Sequence, residues 1–223
     1  MNGLLTVFFN KTFENEINNN LQELSYKFPQ KEVLDYVKKI IDIEIEDFLS
    51  WINCHNFFTI DSSDMPQLSD FKAAFYDVVH KLADAGDKGF RYIEIGLLLQ
   101  NDGIIRNDMA NRKYGENHAK ASEYLGYLYS LHYHYYVSCI GYVLEFLNET
   151  EKNKLFVRLL IRTNLFKAVY LMTKNNSLNF RTLFDVLSDK TYRRRLSGTK
   201  LILFSLNITA EYDFDSILNK IEY

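Results

Sequence analysis

At 223 residues, with 47% hydrophobic and 25% charged side chains, the chain has an ordinary globular composition and enough length to bury its apolar surface without a disulfide or metal staple. The two cysteines, Cys54 and Cys139, lie far apart with no CxxC, no apolar run approaches the ~18 residues of a membrane helix, and Met1–Asn10 has no basic start; a reducing, cytoplasmic setting is expected, with no structural zinc, secretion signal or membrane span. The net charge of −3 is unevenly spread: residues 1–69 carry 5 Lys and Arg against 11 Asp and Glu, whereas residues 150–200 carry 12 against 3, a net of +9.

In chain order, Phe13, Ile17, Leu21 and Leu24 predict a helix over Lys11–Tyr26. Pro29 opens a second from about Lys31, with Val33, Leu34, Val37, Ile40 and Ile41 on one face, able to run on through Ile52. The polar, proline-stopped stretch Asp61–Pro66 reads as a linker. Ser69 is placed to cap a helix over Asp70–Ala85. Short helices are expected at Tyr92–Leu99 and from Ile104 to Asn111, separated by the turn Asn101-Asp102-Gly103, and Gly115 precedes a helix over Glu116–Leu125 closed by Gly126. The aromatic, β-branched stretch Tyr127–Val137 predicts a hairpin. Helices follow at Glu149–Ile161, Leu165–Lys174 and Phe180–Leu187, and Ser188 caps a basic one from Asp189.

Chemistry-bearing motifs are few. There is no Gly-rich phosphate loop, GxSxG or HExxH. The acidic run Asp42, Glu44, Glu46, Asp47 lacks the Glu-x-Lys of a nuclease centre and alternates with Ile41, Ile43 and Ile45 as an amphipathic element does. His132 and His134 would share one side of a strand, but no carboxylate or cysteine joins them at ligand spacing. No catalytic residue, metal or cofactor is therefore expected.

Two constellations remain. Lys190-Thr191-Tyr192-Arg193-Arg194-Arg195, followed by Thr199 and Lys200, lies in the one strongly basic stretch. On a helix it offers guanidinium forks and hydroxyls for phosphate oxygens or guanine edges. The alternative is a solvated basic face. Around Gly115, the residues Lys113, Asn117, His118 and Lys120 would stand near the start of a helix over Glu116–Leu125, where a recognition helix contacts bases. The alternative is a simple helix start with a satisfied surface histidine.

Phe90-Arg91-Tyr92-Ile93-Glu94-Ile95-Gly96 leading to Lys113–Lys120, and Leu187-Ser188-x-x-Thr191-Tyr192-Arg193-Arg194-Arg195 with Thr199, together resemble the helix-turn-helix regions of bacterial winged-helix proteins associated with restriction–modification and phage defence. That resemblance covers roughly residues 70–206. It implies tandem winged helices; with the acidic helical region 1–69, which the resemblance does not reach, the chain is expected to be mainly α, with two winged-helix-like units carrying short β-hairpins at 70–148 and 149–223. It also implies non-catalytic binding of duplex DNA, with Asn117–Lys120 and Thr191–Arg195 on the two recognition helices. The other expectation is a protein–protein subunit that docks through its acidic N-terminal helices.

Overall fold

The computed structural model describes residues 2–10, 30–55, 59–86, 88–100, 107–175, 179–209 and 211–221. The helix expected at Lys11–Tyr26 and the turn expected at 101–103 lie outside them. In chain order the helices are α1 (Asn2–Phe9), α2 (Gln30–Ile41) and α3 (Ile45–Cys54). A π-helical turn, Ala73–Asp77, then runs into α4 (Val78–Asp84), followed by α5 (Tyr92–Leu98) and α6 (Asp108–Leu125). Strands β1 (Leu128–Leu131) and β2 (His134–Val137) precede α7 (Cys139–Val143). The chain closes with α8 (Glu149–Ile161), α9 (Asn164–Lys174), α10 (Phe180–Leu183), α11 (Asp189–Phe204) and α12 (Asp215–Leu218). Among the described residues the protein is thus mainly helical with one small antiparallel sheet, and no described helix is long and apolar enough to cross a membrane.

The chain forms two compact units: Met1–Phe9, Lys38–Ser69 and Asn148–Tyr223 make one, Asn10–Val37 and Asp70–Leu147 the other. Residues 38–69 therefore belong with the C-terminal third, not with a separate acidic N-terminal region. One buried side chain accounts for much of this. Arg158 of α8 is 1% exposed; its Nε donates to the Ile40 carbonyl at 3.2 Å and its Nη2 to the Ile43 carbonyl at 2.6 Å. Its Nη1 donates to the Glu211 carboxylate at 2.8 Å. A guanidinium buried in apolar surroundings is tolerated only when paired and hydrogen-bonded, and here two sequence-remote segments, Ile40–Ile43 and the one around Glu211, supply the acceptors. Turning the Ile40 and Ile43 carbonyls toward Arg158 also ends α2, so the helix expected to run through Ile52 is two helices. Around this knot, Phe48, Ile52, Phe166 and Phe214 are all but fully buried. The apolar N-terminus packs here too: Phe9 stacks on Trp51 with ring centroids 3.9 Å apart, and Phe8 meets Phe48 edge-on.

In the other unit α6 is a single 18-residue helix, where the sequence suggested two pieces broken at Gly115. Asn107 starts it, its side chain accepting from the Ala110 amide at 2.9 Å, and Gly126 closes it in the left-handed region at φ +87°. Gly115 is a packing residue: a Cβ there would stand 1.9 Å from the Tyr92 carbonyl oxygen of α5. Gly96 is the reciprocal contact, its Cβ falling 2.0 Å from the Asn111 carbonyl oxygen. Helical propensity disfavours glycine by about 1 kcal/mol, but backbone-to-backbone contact between α5 and α6 excludes every other side chain.

The predicted hairpin is present, with Leu128 opposite Val137 and Leu131 opposite His134. Its two-residue turn puts His132 and Tyr133 at φ +48° and +65°, the geometry that matches strand twist but costs non-glycine residues about 1 kcal/mol or more apiece. Phe90 pairs with Tyr135 through both backbone bonds, at 3.0 and 2.9 Å, adding a one-residue third rung. The helix start at residue 70 is capped by Asp70, which accepts from the Ala73 amide at 2.9 Å, not by Ser69. Among the described residues of 149–221 there is no strand; a 3-10 turn, Ser205–Ile208, follows α11. The second hairpin expected from the sequence is absent there because Leu203, Ser205 and Leu206 are buried as the continuation of a helical face.

Two substitutions test these constraints. Gly115→Ala should cost about 3 kcal/mol or more, because the clash is with backbone on both helices. Arg158→Ala should cost about 3–5 kcal/mol by stranding Glu211 and two carbonyls. Chemical denaturation of each variant against the parent protein measures both; a loss under about 1 kcal/mol would contradict the account.

Candidate nucleic-acid interface

The basic helix α11 is divided sharply by side. Tyr192, Leu196, Gly198, Thr199, Ile202 and Leu203 are buried. Gly198 lets the helix settle on the backbone of Leu68, where a Cβ would fall 2.9 Å from the carbonyl oxygen. Lys190, Arg193, Arg194 and Ser197 face solvent. The N-terminus is Ser188, but its hydroxyl donates to the Thr191 hydroxyl at 3.0 Å and does not cap a backbone amide. Arg181 steadies this end instead: its guanidinium donates to Asp189 at 2.8 Å and to the Leu187 carbonyl at 3.0 Å, and it lies 4.8 Å over the Tyr192 ring. Nothing in the sequence beyond its positive charge singled Arg181 out.

The three consecutive arginines are not equivalent. Arg195 turns inward, donating to the carbonyls of Ser62 and Met65 in the segment before Pro66. Burial, with the neighbouring Arg194 charge, depresses its pKa below the usual arginine value. Arg193 and Arg194 remain exposed, and no carboxylate among the described residues pairs with them or with Lys190. Thr199 is fully buried and donates to the Arg195 carbonyl at 3.1 Å. Thr191 and Lys200 are half-buried. Of the residues expected to touch DNA on this helix, Lys190, Arg193 and Arg194 are the ones fully presented; Arg195 and Thr199 are withdrawn into the fold.

On α6 the expected group is rearranged by the helix's true start. Asn117, His118 and Lys120 sit past its middle, not at its N-terminal end. His118 is 0% exposed, its Nδ1 2.8 Å from the Tyr114 carbonyl, so it cannot reach a base edge. Lys113 and Lys120 both hold Glu116, at 3.0 and 2.7 Å. Burial alone would raise the Glu116 pKa, but the two ammoniums outweigh it and leave it below the ordinary value. Asn117 is half-buried. Arg112 is exposed, with no carboxylate partner among the described residues.

At the hairpin tip Tyr133 is 95% exposed. His134 does not pair with His132 as a ligand set: its Nδ1 lies 2.9 Å from the His132 carbonyl, and its Nε2 accepts from Arg91 at 3.4 Å. No group of three His, Cys, Asp or Glu among the described residues is placed to hold a metal ion. Asp42, Glu44 and Glu46 are exposed while Ile41, Ile43 and Ile45 are buried, the alternation read from the sequence. The chain matches no protein-family profile, no curated protein and no solved structure.

The division of α11 makes a direct test. Arg195→Ala should lower stability by about 1 kcal/mol or more, because two carbonyls lose their donor, whereas Arg194→Ala should leave thermal unfolding unchanged within about 0.5 kcal/mol. Equal effects in the two variants would contradict the inward assignment of Arg195.

Proposed function

We propose that the protein binds duplex DNA without catalysing a reaction on it, using the solvent face of α11. The observation that carries this is the run Lys190, Arg193 and Arg194, exposed on one helix and unneutralised by any described carboxylate. Such cations release counterions when they meet phosphates, the main source of affinity for nucleic acid. Ser197 on the same face and half-buried Thr191 beside it supply hydroxyls for phosphate oxygens.

The unit containing α4–α6 supports a second contact. Its order is helix, one-residue strand at Phe90, helix, helix and hairpin, the order expected of a winged helix, with α6 as recognition helix and His132–Tyr133 as the wing tip. In this reading Arg112 and Asn117 take the contacts, with Lys113 and Lys120 shared with Glu116. The C-terminal unit is read as a helix-turn-helix without a wing. An accessory or regulatory role in a bacterial restriction or defence system follows from the sequence resemblance alone. The second reading is a subunit that docks through its acidic N-terminal region; the exposed row Asp42, Glu44 and Glu46 favours it.

Fluorescence anisotropy with a labelled random-sequence duplex, titrated at several salt concentrations, decides between them. With three α11 cations engaged, log affinity should fall against log salt with a slope near −3, and Arg193→Ala plus Arg194→Ala should reduce that slope by about 2. No binding at low salt, or a double variant that binds unchanged, would remove the DNA reading and leave the subunit one.

A further inference from the structure

The hairpin has one side that its own fold does not use. Leu128, Tyr135 and Val137 are buried on its inner side, where Ser130 and Tyr135 both donate to the Glu123 carboxylate. Alternation sends Tyr129, Leu131, His134 and Tyr136 to the other side, with Tyr129 opposite Tyr136 and Leu131 opposite His134. The third rung, Phe90 opposite Tyr135, adds Gly89 and Arg91 to that outer side. Both meet it directly: a Cβ on Gly89 would fall 2.5 Å from the Tyr136 ring, and the Arg91 Nε donates to His134 Nε2 at 3.4 Å. Glycine at 89 therefore lets the Tyr136 ring lie across the rung, where it stacks with Tyr129 at 5.4 Å between centroids and 18° between planes.

The chemistry of that side selects what it can meet. Its outward positions carry a guanidinium and an imidazole but no carboxylate. Arg91 uses only Nε on His134, and no carboxylate among the described residues pairs with it, so both terminal nitrogens stay available as a forked donor for phosphate oxygens. Beside this cation stand aromatic rings: Tyr129 and Tyr136 are half-buried, and Tyr133 at the tip is 95% exposed with no ring contact among the described residues. The tip also runs against backbone preference. A two-residue turn with both φ positive favours Asn-Gly, yet His132 and Tyr133 hold φ +48° and +65°. Neither packing nor turn geometry requires a tyrosine there. A flat ring joined to an anion is what a nucleotide presents, and only an unpaired one bares its ring face, since in a duplex the neighbouring pairs cover it.

We propose that the outer side and tip of the hairpin bind unpaired nucleotides of a single strand, with Tyr133 stacking on a base and Arg91 holding a phosphate. This side belongs to the unit without α11, so the inference does not rest on the duplex contact of that helix. Fluorescence anisotropy of the full chain with a labelled single strand of about 15 nucleotides should show binding. Running it with oligothymidylate and with oligouridylate tells which sugar is preferred. Tyr133→Gly should weaken binding about fivefold or more, the loss of one stacked base, while thermal unfolding stays level or rises because glycine suits φ +65°. Tyr133→Phe keeps the ring and should bind as the parent does. Arg91→Gln should reduce the slope of log affinity against log salt by about 0.7. These differences should persist when Arg193→Ala plus Arg194→Ala removes the exposed arginines of α11, so failure of the duplex reading leaves this one standing. The proposal is overturned by no binding to either strand, by unchanged affinity in Tyr133→Gly, by an equal loss in Tyr133→Phe, or by the same Tyr133→Gly loss on a duplex.

Discussion

Arg158 organises the unit that contains the basic helix. Its guanidinium has almost no solvent, so each of its donors must find an acceptor within the protein. Those acceptors come from the end of α2, the break after it and Glu211 far along the chain. A buried ion pair of this kind contributes little net stability compared with an apolar replacement. What it constrains is register, because the Ile40 and Ile43 carbonyls and the Glu211 carboxylate must all meet one guanidinium. The same unit sets the Ser62–Leu68 stretch against α11, where the Ser62 and Met65 carbonyls hold Arg195.

The consequence reaches the candidate interface through α11. A helix that buries Tyr192, Leu196, Thr199 and Leu203 on one side sends Arg193, Arg194, Ser197 and Leu201 to solvent on the other. Arg193 and Arg194 fall there by helical geometry, while Arg195 falls at the boundary and is captured by backbone carbonyls. Two adjacent arginines with the same intrinsic chemistry thus differ in role because about 100° of helical rotation separates them. The same rotation puts Lys190, Leu201 and Phe204 along one outer line.

In the other unit the controlling constraint is space. Gly96 and Gly115 bring the backbones of α5 and α6 closer than any Cβ allows, and the long helix continues through a residue whose propensity argues for a break. Burial of His118 is part of the same geometry, since it lies on the side of α6 that faces inward. The exposed hairpin tip is held by non-glycine residues in left-handed conformations, which close the two-residue turn between the paired Leu131 and His134.

Local signals were legible where the chain's own periodicity decides the outcome. The helices at Glu149–Ile161 and Leu165–Lys174, the basic helix after Ser188, the hairpin at 127–137 and the alternation of Ile41, Ile43 and Ile45 with carboxylates could all be read from spacing and residue type. The presence of a positive face on α11 was equally legible, because charge composition and helical period suffice for it. Tertiary structure alone decided which of its arginines face water, that Gly115 packs instead of breaking a helix, and that His118 and Thr199 are internal. It also decided that residues 38–69 join the C-terminal third. In each case the deciding energy is a contact with a segment distant in sequence: a carbonyl that accepts from Arg195 or Arg158, or a backbone that forbids a Cβ. Periodicity reports which side of an element is apolar, but it carries no information about what that side will meet.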